Sequence, residues 1–359
     1  MTNKVYIIAE AGVNHNGSLQ LAQKLIDEAA AAGADAVKFQ TFKTELLVSK
    51  QAVKADYQKQ NTDSNESQYA MLKKLELDRG MHNILIKHCD EKGIQFLSTP
   101  FDNESLDLLA NQFNLPYIKV PSGEITNAPF LLEVARTGKP VILSTGMSTL
   151  AEVETALGVL AFGYLHSLDR PSIQAFEKAY ATYGGQSAIR DKVALLHCTT
   201  EYPASFTDIN LKAMDTLRNA FGLSVGYSDH TEGIAVSIAA AARGATIIEK
   251  HFTLDRNLPG PDHKASLEPG ELAVLIKSIR QVEAALGCEI KAPVESEYKN
   301  RLAARKSLVA AKDIQPGEYL SEANLAVKRP GDGILPLFYW NLLGKQVTKA
   351  YKRDEKIFE

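Results

Sequence analysis

Leu223-Ser224-Val225-Gly226-Tyr227-Ser228-Asp229-His230-Thr231, a helix-like segment from Ile234 to Arg243, and then Ala245-Thr246-Ile247-Ile248-Glu249-Lys250-His251 form the stretch whose reading decides the fold. Each half is a short β-branched run closed by a histidine. The segment between is long enough to return the chain for parallel pairing. Neighbouring parallel strands carry both imidazoles to one end of the sheet, where barrels place their chemistry. Either histidine alone is as well explained as a satisfied core residue. Together, His230 and His251 have metal-site geometry. Two imidazoles completed by water and substrate oxygens suit a manganese- or magnesium-like ion better than structural zinc, which takes four closed ligands.

Outward from this unit, β-branched runs recur at barrel-like intervals: Val5 to Ala9, Ala36 to Phe39, Ile94 to Leu97, Tyr117 to Val120, Val141 to Leu143, Val193 to Leu196, Leu223 to Gly226 and Thr246 to Ile248. Amphipathic stretches such as Leu19 to Ala32, Met81 to Lys92 and Leu272 to Leu286 separate them. The pattern predicts a (β/α)8 TIM barrel over residues 1–288. Two inserts exceed the minimal plan. Thr44 to Lys74 is polar and too long for an ordinary βα loop, so it is expected to sit over the strand ends as a lid. His166 to Asp191 lengthens an αβ connection away from the catalytic ends and is assigned a structural or interface role. Beyond Gly287, residues 289–300 read as a linker. Residues 301–359 read as a small domain, with a strand from Arg305 to Ala311 and turns at Gln315-Pro316-Gly317 and Arg329 to Gly333.

Composition narrows the function classes. The 359 residues are 45% hydrophobic and 23% charged, as for an ordinary globular protein with a large core. A net charge of -3 argues against a general nucleic-acid binder, which needs a basic footprint. From Glu297 to Glu359 there are twelve Lys/Arg against eight Asp/Glu, so a +4 tail joins a -7 body. Cys89, Cys198 and Cys288 lack a CxxC pair and read as reduced thiols of a cytoplasmic protein. No signal-peptide pattern opens the chain, and no apolar run is long enough to cross a bilayer.

The strand ends carry a ring of polar groups: Glu10, Lys38, Gln40, Ser98, Thr99, Lys119, Ser122, Glu124, Ser144, Thr145, Thr199, Thr200, Tyr202, Ser228, His230 and His251. Lys38 and Lys119 stand out because an unpaired ammonium among buried apolar side chains is strongly disfavoured. With Ser122, Ser144 and Ser228 they form a donor-rich pocket of two positive charges suited to phosphate. The alternative is structural salt bridging, for instance Lys38 to Glu10. Glu10 and Glu124 are carboxylates able to move protons, with Glu124 preferred because Ser-Gly-Glu sets it on a turn above its strand. His15 and His197 are expected near the mouth, and His82, His88 and His166 at the surface.

The motifs Ile8-Ala9-Glu10-Ala11-Gly12-Val13-Asn14-His15, Val37-Lys38-Phe39-Gln40, Lys119-Val120-Pro121-Ser122-Gly123-Glu124, Leu196-His197-Cys198-Thr199, Ser228-Asp229-His230, Glu249-Lys250-His251, Gly260-Pro261-Asp262 and Lys328-Arg329-Pro330-Gly331 resemble the sialic acid synthase family. The resemblance covers nearly the whole chain, its tail being similar to the antifreeze-like SAF domain. It implies condensation of phosphoenolpyruvate (PEP) with an N-acylated mannosamine-type sugar, giving a nine-carbon 2-keto acid and phosphate. It further implies that Lys38, Lys119, Ser122, Ser144, Ser228 and Thr200 hold PEP, and that Gln40, Glu124, Tyr202, Asp262 and Arg329 contact the sugar. His230 and His251 would bind the divalent ion, manganese first, with magnesium or cobalt as alternatives. Arg329 would act from a partner's tail, which makes a homodimer an expectation. The segment Ala55 to Thr62, with Glu66-Ser67-Gln68 and Leu75-Glu76-Leu77, most resembles N,N'-diacetyllegionaminate synthases. N-acetylneuraminate synthases come second. A metal-dependent aldolase and a non-enzymatic carbohydrate-binding protein are the readings from other classes.

Overall fold

The computed structural model describes residues 4–55, 58–59, 62, 66–166 and 168–358. Eight parallel strands share one sheet: β1 (Tyr6–Gly12), β2 (Ala36–Thr41), β3 (Gln95–Pro100), β4 (Ile118–Val120), β5 (Val141–Ser144), β6 (Val193–Cys198), β7 (Ser224–Asp229) and β8 (Ile247–His251). Their hydrogen-bonded order is β3-β2-β1-β8-β7-β6-β5-β4, and β3 lies beside β4, so the sheet curls almost to closure. The expected (β/α)8 barrel is what the chain forms.

Inside the barrel, Ile8, Ala36, Leu97, Ile142, Leu196 and Ile247 make a buried apolar plug. Side chains two residues further along a strand face the same way. The next positions inward are therefore Glu10, Lys38, Thr99, Ser144, Cys198 and Glu249, with Gln40 and His251 above them. Register locks this layer sideways. Glu10 pairs with Lys38 on one side and His251 on the other, and Ser228 lies between Cys198 and Glu249.

Outside the strands, helices bury one face each. The helix Leu19–Ala32 turns Ala22, Leu25, Ile26 and Ala29 inward at helical spacing. Ser18 caps its start by accepting from the Leu21 amide, and Gly33 ends it at φ 85°, a conformation glycine adopts without strain. Truncating a fully buried member such as Leu25 to Ala would cost roughly 2–5 kcal/mol. His82, expected at the surface, belongs to this outer core. Its ring is buried, with Nε2 at 2.8 Å from Thr41 Oγ1 and Nδ1 at 2.8 Å from the Asp78 carbonyl. The face it shares with Leu85 and Cys89 on the helix Arg79–Lys92 explains why.

Of the expected lid, the described parts include the short helices Thr44–Leu47 and Gln68–Lys73. Asp56, Tyr57 and Asn61, part of the segment read as resembling legionaminate synthases, lie outside the described residues. The other insert forms two helices, Ile173–Tyr180 and Tyr183–Lys192, which pack on the helix Leu150–Tyr164 and thicken the outer coat.

Cys288–Glu359 is a separate compact unit. The stretch expected as linker runs into a helix, Glu295–Ala304, with Glu295 and Glu297 in its first turn and Arg301 in its last, signs that complement the helix dipole. Strands β9 (Ser307–Ala310) and β10 (Leu325–Lys328) pair antiparallel over a core of nine buried apolar residues that includes Leu308, Ile314, Leu342 and Ile357.

Candidate active site

The barrel mouth holds a cavity of about 290 Å³ whose wall includes Glu10, Lys38, Gln40, Lys119, Ser122, Ser144, Thr200, Tyr202, Ser228, His230, His251 and Asp262. Two of the expected site residues are not among its lining. Glu124 turns along its own 3-10 segment, where Oε2 accepts from Asn127 Nδ2 at 2.6 Å. Arg329 belongs to the tail unit, is exposed, and donates from Nε to the Ala304 carbonyl at 3.0 Å. Leu47, Val48, Gln58, Gln68, Met71 and Leu72 from the 44–74 insert also line the cavity.

Its floor is a cluster of buried charges. Lys38 Nζ lies 2.6 Å from Glu10 Oε2 and 3.6 Å from Glu249 Oε2, and donates to Thr99 Oγ1 at 2.9 Å. Lys119 Nζ lies 3.5 Å from Glu249 Oε1 and donates to Ser144 Oγ at 2.8 Å. Ser228 Oγ donates to Glu249 Oε1 at 2.9 Å. The pocket of two positive charges expected from sequence is thus answered by two carboxylates, and the Lys38–Glu10 pairing coexists with it. Glu249 is the member that sequence reading assigned no role. The readable signal was the period of two from Ile247, provided that β8 continues to His251, three residues past the expected end.

Burial opposes ionisation of every member, and the partners decide the outcome. For Glu10 burial prevails over the Lys38 ammonium, and its pKa is raised. For Glu249 burial is overcome by Lys119 and Lys38, which hold the carboxylate ionised. Lys119 is pushed down by burial, whereas for Lys38 the charges of Glu10 and Glu249 outweigh burial and push it up. Burial alone raises the Asp262 carboxyl to about 6.

His230 and His251 stand with ring centroids 5.5 Å apart, and the Tyr202 ring lies 4.2 Å from that of His230. His230 Nδ1 is 2.6 Å from the Thr199 carbonyl, which can only accept, so this nitrogen carries the proton and Nε2 keeps its lone pair. That is the usual second contact of a metal-binding imidazole. Burial drives both pKa values below that of free imidazole, keeping the rings neutral, and His251 Nδ1 is buried without a hydrogen-bond partner. Two neutral imidazoles with an unmet polar atom fit a divalent ion. Among the described residues no group of three or more His, Cys, Asp or Glu is arranged to hold one, so water or substrate oxygens would complete its shell.

His15 and His197, expected near the mouth, are held elsewhere. His15 accepts at Nδ1 from the Gly17 amide, and His197 Nε2 meets the Ile209 carbonyl at 2.6 Å.

Comparison with known proteins places this architecture in context. Residues 25–291 match the NeuB family, and residues 305–357 match the SAF domain. The N,N'-diacetyllegionaminic acid synthase of Campylobacter jejuni is 54% identical over 99% of each chain. That of Legionella pneumophila is 46% identical over 96% of this chain and 90% of its own. Among solved structures, N-acetylneuraminic acid synthetase from Leptospira borgpetersenii, in complex with citrate, is similar at TM-score 0.66 and 34% identity, covering 83% of this chain and 90% of that one.

Proposed function

Since the chain belongs to the NeuB family and ends in a SAF domain, we propose that it condenses PEP with an N-acylated amino sugar to form a nonulosonic acid, as an N,N'-diacetyllegionaminate synthase. The observation that carries the chemistry is the buried floor in which Lys38, Lys119 and Ser228 surround Glu249. Buried ammonium groups beside hydroxyls are matched to the phosphate and carboxylate of PEP. Lys38, Lys119, Ser122, Ser144, Ser228 and Thr200 hold PEP, while Gln40, Tyr202 and Asp262 meet the sugar from the cavity wall.

Carbon 3 of the enol forms a bond to the aldehyde carbon of the open-chain sugar, whose oxygen takes up a proton. Water adds to the cationic carbon 2 and gives up a proton. The bond between carbon 2 and the phosphate oxygen then breaks as the new hydroxyl passes its proton to the departing phosphate, leaving the 2-keto acid and phosphate. Glu10 takes the water proton in this reading, supported by its place in the cavity lining and by burial, which raises its affinity for a proton. Glu124, outside that lining, is left as a residue of the adjoining turn. His230 and His251 hold a divalent ion, manganese with magnesium or cobalt as alternatives, which when bound supplies Lewis-acid polarisation of the aldehyde.

A homodimer completes the reading, with Arg329 of one tail serving the partner's sugar site. In support, Tyr298 and Leu302 lie one turn apart on a helix with no buried residue, and Ile290 and Val294 precede it, each of the four more than half exposed. Three free cysteines and no described helix able to cross a membrane fit a cytoplasmic setting.

The test compares kcat/KM for 2,4-diacetamido-2,4,6-trideoxymannose and N-acetylmannosamine with PEP as co-substrate. A preference of at least about tenfold for the former is expected, roughly 1.4 kcal/mol of discrimination. The reverse preference makes the chain an N-acetylneuraminate synthase, and no PEP-dependent phosphate release with either sugar returns it to the aldolase class. Arg329→Ala should raise the sugar KM far more than the PEP KM; equal changes remove the trans-acting role.

A further inference from the structure

Cys198 ends β6 facing the cavity, and its Sγ lies 3.2 Å from Ser122 Oγ. The same oxygen accepts from the Gly146 amide at 3.0 Å. Nothing else fits between these groups. A Cβ added at Gly146 would come within 2.8 Å of Ser122 Oγ, 3.0 Å of Cys198 Sγ and 2.4 Å of Thr200 Oγ1. The wall they share also carries Glu249 Oε2 and His251 Nδ1, buried atoms without a hydrogen-bond partner.

A serine hydroxyl offers one donor and two acceptor positions. Gly146 N–H can only donate, so it occupies one acceptor position permanently. The thiol can either donate or accept, weakly in both roles. With no anion present, Ser122 O–H can point at the sulfur. A phosphate or carboxylate oxygen is a far stronger acceptor, since charge-assisted hydrogen bonds are about twice as strong as neutral ones. Once such an oxygen draws the Ser122 hydrogen into the cavity, the second acceptor position falls vacant beside the thiol, and S–H can turn to fill it.

From this geometry we infer that Cys198 is a positioning residue for PEP: its hydrogen bond with Ser122 reverses direction when the anion binds, leaving Ser122 as a committed donor. The inference rests on the reading that Ser122 holds PEP. An alanine at 198 leaves one acceptor position of Ser122 empty and its hydroxyl less well aimed. A serine keeps the two-way hydrogen bond.

The decisive experiment uses the full-length protein with PEP and no sugar, so that no turnover occurs. The S–H stretching band of Cys198, identified by its loss in Cys198→Ser, should move to lower frequency on saturation with PEP, because the thiol becomes a donor. By calorimetry Cys198→Ala should weaken PEP binding about three- to tenfold, the worth of one modest hydrogen bond. Cys198→Ser should recover most of that loss, with the sugar KM little changed in both. An S–H band unmoved at saturating PEP, or a Cys198→Ala protein binding PEP as tightly as wild type, overturns the role of the thiol and leaves the synthase reading standing. Failure of the wild-type protein to bind PEP overturns the synthase reading and this inference with it.

Discussion

The barrel mouth and the tail unit handle charge in opposite ways. At the mouth, Lys38, Lys119, Glu10 and Glu249 keep side-chain exposures of 5% or less, and behind them Lys250 pairs with Asp229 at 3.1 Å with almost no exposure. In the tail, the pairs Lys328–Asp354, Lys352–Asp313 and Lys356–Asp332 all lie at the surface, and the buried polar residues are the neutral Ser307 and Asn324. Desolvating an ion costs several kcal/mol, so a domain can bury a charge cluster only against a large apolar reserve. The barrel has that reserve between strands and helices, whereas the tail core has nine residues. The difference shows where the fold accepts an energetic penalty, and a penalty kept at one end of the barrel marks binding and catalysis.

Neutralising the floor should have the largest effect. Lys119→Met combined with Glu249→Gln should lower PEP affinity at least about a thousandfold, roughly 4 kcal/mol, because a charged ligand loses a desolvated partner. Its urea midpoint should equal or exceed that of wild type. A clearly less stable variant would mean that the cluster holds the fold together and is not there for function.

The pair behind the mouth has the opposite expectation. Lys250→Met leaves Asp229 buried with its hydroxyl and amide donors from Ser237 and Thr231 but no cation. Removing one partner of such a pair should cost about 3 kcal/mol of barrel stability by urea unfolding. Hydrogen exchange in the tail peptides should stay as it was.

Acid should separate the two units. All eight histidines precede Gly287. Burial lowers His15 and His263 from 6.5 to about 4 and also lowers His82. The unfolded chain therefore takes up protons before the folded one does. This stability is fully present above pH 6.5 and is lost as pH falls towards about 4, by up to roughly 1.4 kcal/mol per pH unit for each fully responding histidine. The tail carboxylates Asp313, Asp332 and Asp354 are held below their usual 3.8, chiefly by hydrogen bonds from Lys352, Lys356 and Lys328. Their contribution is lost only below that value. Hydrogen exchange of the full-length protein should show barrel amides opening near pH 5 while tail amides stay protected. Simultaneous opening would contradict the contrast.

The smallest effect is expected at the tail surface. Asp354→Asn, which removes the charge facing Lys328 but keeps a residue that tolerates the φ of 69° at this position, should leave the urea midpoint unchanged, as is usual for solvated ion pairs.

Much of this was legible beforehand because a barrel strand has a period of two. Lys38 read as part of a buried strand, His230 and His251 as groups at the strand ends, and the amphipathic helices followed from spacing. Other residues escaped for specific reasons. Glu249 lies beyond the expected end of β8, and its direction is undefined until the strand is known to continue. Cys198 looks like any isolated thiol until Ser122, seventy-six positions earlier, comes within 3.2 Å. His82 shares a helical face with Leu85 and Cys89, a signal outweighed by the polarity of histidine. Glu124 follows its strand as expected, but turn geometry directs its carboxylate to Asn127.

The sequence by itself determined the eight strands, the two-part organisation, the ring of candidate groups and the pair of histidines. These depend on local periodicity, chain length and residue chemistry, all of which travel with the chain. Only the tertiary structure decided that Glu249 stands between two lysines, that Glu10 keeps its proton more readily than its neighbour, that Cys198 reaches Ser122, and that Glu124 is not part of the cavity wall. Those facts depend on register, strand ends and burial, and energies between charges change severalfold with solvent exposure.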